Sequence, residues 1–181
     1  EGVGEGNNTA AATATTVSLA PYADLAVSNV AAASQIIGDP ADITVSWTVT
    51  NAGTGAGPVA TWIDRVVLSR NGTLGDGDDI LIGSFTHDGL MPVGTYYTRT
   101  EAIQLAAATE GRFTLFVFAD ALDAVYEHTN AGANSATPGH TVDIIPRPYA
   151  DLMVESVVAA ATGSNGVPLA LSWTVANRGI G

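Results

Sequence analysis

Gly75-Asp76-Gly77-Asp78-Asp79-Ile80-Leu81 is the densest group of potential ligand oxygens in the chain. Three carboxylates, with Asn71 just upstream, fall in a glycine-rich stretch that must turn tightly, so their charges repel unless water or a cation lies between them. Calcium suits such a site because it accepts about six to eight oxygens in loose geometry. The run matches much of the nonapeptide pattern of calcium β-rolls, but those bind between successive copies and only one is present. It is not an EF-hand loop, because the twelfth position counted from Asp76 is His87 rather than glutamate. A second acidic set, Asp120, Asp123 and Glu127, follows a phenylalanine-rich stretch, with Asn130 and Asn134 beyond it. Oxygens there could meet Asp24 or Asp151 across a junction between units. Asp and Asn also stabilise ordinary turns. For each set two readings therefore stand, a calcium site or a solvated acidic turn.

Catalytic chemistry finds no footing. His87, His128 and His140 sit in three separate segments without a second ligand at zinc spacing, and no His-Glu-x-x-His occurs. No Gly-x-Ser-x-Gly elbow is present. Gly53-Thr-Gly55-Ala-Gly57 runs into Pro58 instead of opening a helix, so it is not a phosphate cradle. The expectation is a protein that is not an enzyme and has no catalytic residues.

These acidic sets must be positioned by the elements of a repeat. Pro21-Tyr22-Ala23-Asp24-Leu25 returns unchanged as Pro148-Tyr149-Ala150-Asp151-Leu152, an offset of 127 residues. Val45-Ser46-Trp47-Thr48-Val49-Thr50-Asn51-Ala52-Gly53 is answered by Leu171-Ser172-Trp173-Thr174-Val175-Ala176-Asn177-Arg178-Gly179 at an offset of 126. Solenoid and propeller repeats run at about 20–50 residues, so this period is a whole domain. The expected organisation is residues 1–20 as the tail of a preceding repeat, 21–147 as one complete repeat and 148–181 as the first strands of the next. The prolines of Ile145-Pro146-Arg147-Pro148-Tyr149 make a short, semi-rigid junction.

Within the complete repeat, period-two alternation marks strands. Ile43, Val45, Trp47 and Val49 alternate with Asp42, Thr44, Ser46 and Thr48. Further strands are expected at Leu25–Val27, Thr61–Ser69, Asp79–Phe85, Tyr96–Leu105 (with a bulge), Arg112–Phe118 and Thr141–Ile145, about seven in all. Turn dipeptides separate them, as at Asn71-Gly72, Asp76-Gly77 and Asp88-Gly89. The only helical candidate, Ala106–Glu110, is too short to matter. The fold class read from this pattern is all-β, an Ig-like antiparallel sandwich in tandem repeat, with Trp47 in its core.

The chain carries a formal net charge of −12 and neither lysine nor cysteine. Such a field repels phosphate backbones and anionic lipid, so nucleic-acid partners and direct membrane insertion are not expected. It suits divalent cations, and equally a long extracellular polypeptide kept soluble by self-repulsion. No apolar run reaches the length of a membrane span.

Pro-x-x-Asp-Leu-x-Val at 21–27, Val-Ser-Trp-Thr-Val-Thr-Asn-x-Gly at 45–53, Asp64-Arg-Val-Val-Leu-Ser-Arg-Asn-Gly-Thr-Leu74 and Asp120…Asp123-Ala-Val-Tyr-Glu127 together resemble CARDB, the cell-adhesion-related domain found in bacteria. The resemblance spans the repeat and recurs in 148–181. It implies an Ig-like sandwich strung in tandem through large secreted or surface proteins. The family's acidic ending is kept in part at Glu5-Gly6-Asn7-Asn8 and degraded at Glu127-His128-Thr129-Asn130. The expected function is a non-enzymatic extracellular structural or adhesive module, forming a stalk, fibre or spacer of a bacterial or archaeal cell-surface protein. Its expected partners are neighbouring repeats of the same or identical chains and a cell-surface or glycan ligand. The alternative is a carbohydrate- or surface-binding module in which Tyr22, Tyr96 or Trp62 lines a sugar platform. A third arrangement has the partial units completed by strands from other chains.

Overall fold

The computed structural model describes residue 10, residues 12–128 and residues 134–181. Nine strands build one sandwich: β1 (Leu25–Ala31), β2 (Gln35–Ile37), β3 (Asp42–Asn51), β4 (Thr61–Ser69), β5 (Ile80–Asp88), β6 (Tyr96–Gln104), β7 (Gly111–Phe118), β8 (Ser135–Ala136) and β9 (Thr141–Ile145). No helix occurs among the described residues. One sheet runs β1-β3-β6; the other runs β2-β9-β7-β4-β5, with β8 paired to β7. All pairs are antiparallel except β2–β9.

The alternation along β3 is realised as written: Ile43, Val45, Trp47 and Val49 are buried, and the residues between them face outward. They meet Trp62, Val66 and Leu68 of β4, Phe113, Leu115 and Val117 of β7, and Val142 and Ile144 of β9. Each fully buried side chain of this kind contributes about 1.5–3 kcal/mol, and this layer is what sets strand register.

Three local features depart from the expected pattern. β2 and β8 have only three and two residues, too few for alternation to show. The bulge expected in Tyr96–Leu105 is absent, because β3 and β6 pair without interruption from Asp42↔Gln104 to Thr50↔Tyr96. Tyr97, Arg99, Glu101 and Ile103 keep one face throughout; Arg99 pairs with Glu101 at 3.5 Å and donates to the Thr86 carbonyl at 2.8 Å, which accommodates the polar residues there. Register shifts occur instead in β1, between Ser28 and Ala31, and in the β4–β5 pair, at Val66/Val67.

Two polar assemblies tie the sandwich together. Asn51, fully buried at the end of β3, accepts the Asp24 N–H (3.1 Å) and the Gly53 N–H (2.9 Å) on Oδ1. Its amide nitrogen donates to the carbonyls of Gly55 (3.0 Å) and Met91 (2.7 Å). The chain entering β1 is thereby fastened to the chain leaving β3. Gly53 is required there, since a β-carbon would fall on the Tyr22 carbonyl oxygen.

Asp64 forms the second assembly. It is fully buried on β4, and its Oδ2 accepts from Trp47 Nε1 (3.0 Å) and Tyr97 Oη (2.6 Å), both on the opposite sheet. Burial raises the Asp64 pKa above the ordinary aspartate value, opposed by the hydrogen bonds from Tyr97 and Trp47. Burial beside Asp64 likewise pushes the Tyr97 hydroxyl up.

Residues 148–181 form a hairpin of their own, β10 (Leu152–Ala159) with β11 (Leu171–Asn177). It reproduces the Asn51 assembly. Asn177 Oδ1 accepts from Asp151 N and Gly179 N at 2.9 Å, and its amide nitrogen donates to the Gly181 carbonyl at 2.5 Å. The Leu25↔Asn51 and Val27↔Val49 pairs reappear as Leu152↔Asn177 and Val154↔Val175. Cover is the difference between the two: Trp47 is 0 % exposed and Trp173 is 65 % exposed.

Asn51→Ala strips partners from four backbone groups, one buried and three part-buried, and should lower the unfolding free energy by about 3 kcal/mol, read from urea transitions. Asp64→Ala, which leaves buried Trp47 Nε1 and half-buried Tyr97 Oη without their acceptor, should cost a similar amount, about 3 kcal/mol. Asp64→Asn tests the titration. A raised folded pKa means that the Asp64 contribution is fullest below 3.8 and declines as pH rises through the folded value. The stability difference between the native chain and Asp64→Asn should therefore shift against the native chain on going from pH 4 toward pH 7.

Candidate metal centre

β4 ends on buried Ser69 and β5 begins at Ile80, so the intervening ten residues must reverse direction over a short span. Ser69 starts the turn: its Oγ accepts the Gly72 N–H at 3.0 Å and donates to the Thr73 carbonyl at 3.1 Å. Asn71 continues it, accepting the Thr73 N–H on Oδ1 (2.6 Å) and donating from Nδ2 to Asp76 Oδ2 (2.7 Å). Asp76 Oδ1 accepts the Asp78 N–H at 3.2 Å, and Asp79 Oδ2 accepts the Gly75 N–H at 2.6 Å.

The outcome is a convergence of carboxylates: one oxygen each of Asp76, Asp78 and Asp79 lies within 4.8 Å of the others. The hydrogen bond from Asn71 holds the Asp76 carboxyl below the usual aspartate range. The hydrogen bond with Asp76, followed by partial burial and the Asp76 charge, pushes Asp78 up. The two like charges repel, and a cation between them would relieve that repulsion. Asp79 Oδ1 is shielded from solvent and has no hydrogen-bond partner. That orphaned oxygen fits a cation at this turn. Three carboxylates fall short of the oxygens calcium prefers, so further carbonyls or water would have to complete a shell.

An open cavity of about 440 Å³ adjoins the turn on the outer face of the larger sheet, floored by Val67, Leu81 and Phe118 and bounded by Leu74, Arg65 and Asp79. Arg65 Nε is buried there and also lacks a hydrogen-bond partner. Neither the cavity nor Arg65 was accessible to reasoning from motifs, because strand alternation says only that Arg65 faces away from the core.

Asp120, Asp123 and Glu127 are placed differently. Buried Asp120 accepts the Ala124 N–H (2.9 Å) and the Val125 N–H (2.7 Å), the work of a loop-capping carboxylate. Asp123 is exposed, with a positive φ of 54°. Half-buried Glu127 accepts the Leu25 N–H on Oε1 (2.5 Å) and the Asn134 amide on Oε2 (2.6 Å), fastening this loop to the start of β1. Burial raises the Glu127 pKa, with Asp24 and Asp120 adding to it. Among the described residues these three do not gather into a ligand group. Asn130, Asn7, Asn8 and Glu5 lie outside the described residues.

The histidines are likewise dispersed. His87 stacks between Trp62 (ring centroids 4.0 Å apart) and Tyr97 (4.3 Å), His128 lies 5.4 Å from Tyr22, and His140 Nε2 is 3.2 Å from the Ala32 carbonyl. Trp62 is not the exposed sugar-facing ring considered from sequence. It is 3 % exposed, because His87 covers its face and its Nε1 donates to Tyr97 Oη at 3.4 Å. Tyr96 is exposed and Tyr22 half-buried. No helix among the described residues is long and apolar enough to cross a membrane.

No protein-family model and no curated protein sequence matches the chain. Solved structures do. The crystal structure of the CARDB domain of the PF1109 protein from Pyrococcus furiosus, solved in complex with di-metal ions, is 22 % identical and covers 72 % of this chain and 100 % of that one, with a TM-score of 0.49. The solution structure of the same domain is 20 % identical over 68 % of this chain and 96 % of that one, with a TM-score of 0.45. β-Glucosidase 3B from Thermotoga neapolitana, in complex with α-D-glucose, is 15 % identical over 66 % of this chain but only 16 % of that one, with a TM-score of 0.41. These are likenesses of fold, and the sandwich itself rests on the strand order and register described above. In strand architecture the chain is similar to the CARDB domain.

Proposed function

We propose that the chain is a non-enzymatic extracellular repeat module, a structural or adhesive spacer of a large bacterial or archaeal surface protein. In this reading residues 21–147 are one complete repeat, 1–20 end the preceding one and 148–181 begin the next. One observation carries it: the assembly that fastens the entry of β1 to the exit of β3 around Asn51 is rebuilt around Asn177. A polypeptide that restarts the same sandwich after a two-proline junction is organised to extend in one direction. The net charge of −12 supports the reading, since like-charged units resist collapsing onto each other.

Calcium bound at Asp76, Asp78 and Asp79 would brace the β4–β5 turn in this reading. The convergence of the three carboxylates and the orphaned Asp79 Oδ1 support that assignment.

Concatenated copies of residues 21–147 should show a maximum dimension in X-ray scattering that grows linearly with copy number; a dimension that saturates would remove the spacer reading. Millimolar calcium should raise Tm by several degrees and EGTA should reverse the rise. Asp78→Asn with Asp79→Asn should abolish both responses, and a Tm indifferent to calcium in the native chain would leave the turn as a solvated acidic loop.

A further inference from the structure

The β10–β11 hairpin presents an apolar face with no cover among the described residues. Leu152, Val154, Val157, Leu171, Trp173 and Val175 are each 45–71 % exposed. Cross-strand pairing puts Val154 beside Val175 and Val157 beside Trp173, so these side chains share one side of the two-stranded sheet. An exposed patch of this size and composition marks a surface that another element covers.

What covers it can be read from the first unit, because each position has a counterpart there whose surroundings are known. Leu25, Val27, Val45, Trp47 and Val49 correspond to Leu152, Val154, Leu171, Trp173 and Val175, and all five are buried by the β4–β7–β9 layer. Three polar groups make the correspondence more specific than apolar contact alone. The Leu25 N–H donates to Glu127, Trp47 Nε1 donates to Asp64, and Asn51 Nδ2 donates to the Met91 carbonyl. In the hairpin, Asn177 keeps only its local partners and Trp173 Nε1 has no acceptor among the described residues. Two carboxylates and a carbonyl at matching positions are what a complementary surface must offer.

From this we infer that the β10–β11 face is one layer of a second sandwich, completed by a sheet of the β4–β9 kind carried on the same polypeptide. That sheet presents a buried aspartate to the Trp173 indole, a glutamate to the Leu152 N–H and a backbone carbonyl to Asn177. The inference rests on the tandem reading above and adds the partner and its chemistry.

The test keeps the full chain and appends a copy of residues 56–147 after Gly181, the counterpart of Gly55. Amide hydrogen exchange across 152–177 should slow by about tenfold or more relative to the 181-residue chain, while exchange in 25–51 stays as before. Tryptophan emission should shift to the blue, and the shift should vanish in Trp173→Phe. Asp64→Ala placed only in the appended copy should restore much of the fast exchange, whereas Thr73→Ala in that copy should not. An appended segment that folds while 152–177 still exchanges rapidly would overturn the inference. So would an appended segment that stays unfolded, since the hairpin would then not be its missing layer. Concentration-dependent dimerisation of the 181-residue chain that protects 152–177 would assign the face to a second copy instead. The scattering series above can fail independently of these outcomes, because it reads inter-domain extension rather than hairpin cover.

Discussion

Buried hydrogen-bonding groups must find partners, and in this chain that constraint falls most heavily on the Asn51 amide. It stands where β3 leaves the core and the chain entering β1 passes alongside, a place where strand pairing alone leaves donors and acceptors over. One planar side chain with two acceptor and two donor directions meets all of them at once. Close approach of the two segments demands glycine at 53, and the closing of the loop brings the Met91 carbonyl to the same amide. Sandwich closure at this end follows from a single residue and its glycine.

Asp64 applies the same constraint between the sheets. Apolar layers attract without direction, so contact fixes which faces meet but not how one sheet is placed along the other. A buried carboxylate receiving an indole N–H and a phenol O–H from the opposing sheet permits one alignment. The raised pKa of Asp64 shows that desolvation outweighs those two hydrogen bonds. Its value to the fold is alignment more than net energy.

The acidic turn has the opposite electrostatics. Its carboxylates are partly open to water, and backbone N–H groups and Asn71 organise the loop around them. Each of those hydrogen bonds is ordinary turn chemistry. Their sum is a convergence of like charges, with an unpartnered oxygen on Asp79. Ordinary turn hydrogen bonds thereby bring three carboxylates of like charge together.

Much of this was legible in the chain itself. Strict alternation around Trp47 settled which face of β3 is buried, and Thr61–Ser69 was bounded correctly because its apolar residues occupy both parities of a central strand. The repeated Pro-Tyr-Ala-Asp-Leu and Trp-Thr-Val blocks foretold matching local structure, since backbone pairing and the Asn–Gly assembly depend on residues close in sequence. Spacing also placed Asp76, Asp78 and Asp79 together, because a tight turn leaves little freedom. Contacts between distant segments were another matter. Asp120 and Glu127 were equally acidic on paper, yet one caps its own loop and the other reaches back 102 residues to Leu25. Trp62 was an aromatic residue like any other until His87 and Tyr97 closed over it. Local sequence determined periodicity, turns and the doubled motif, for those are governed by dihedral preference and short-range hydrogen bonds. Tertiary structure alone decided which polar groups became partners and which of two identical tryptophan motifs was covered, because burial depends on whatever segment arrives from elsewhere in the chain.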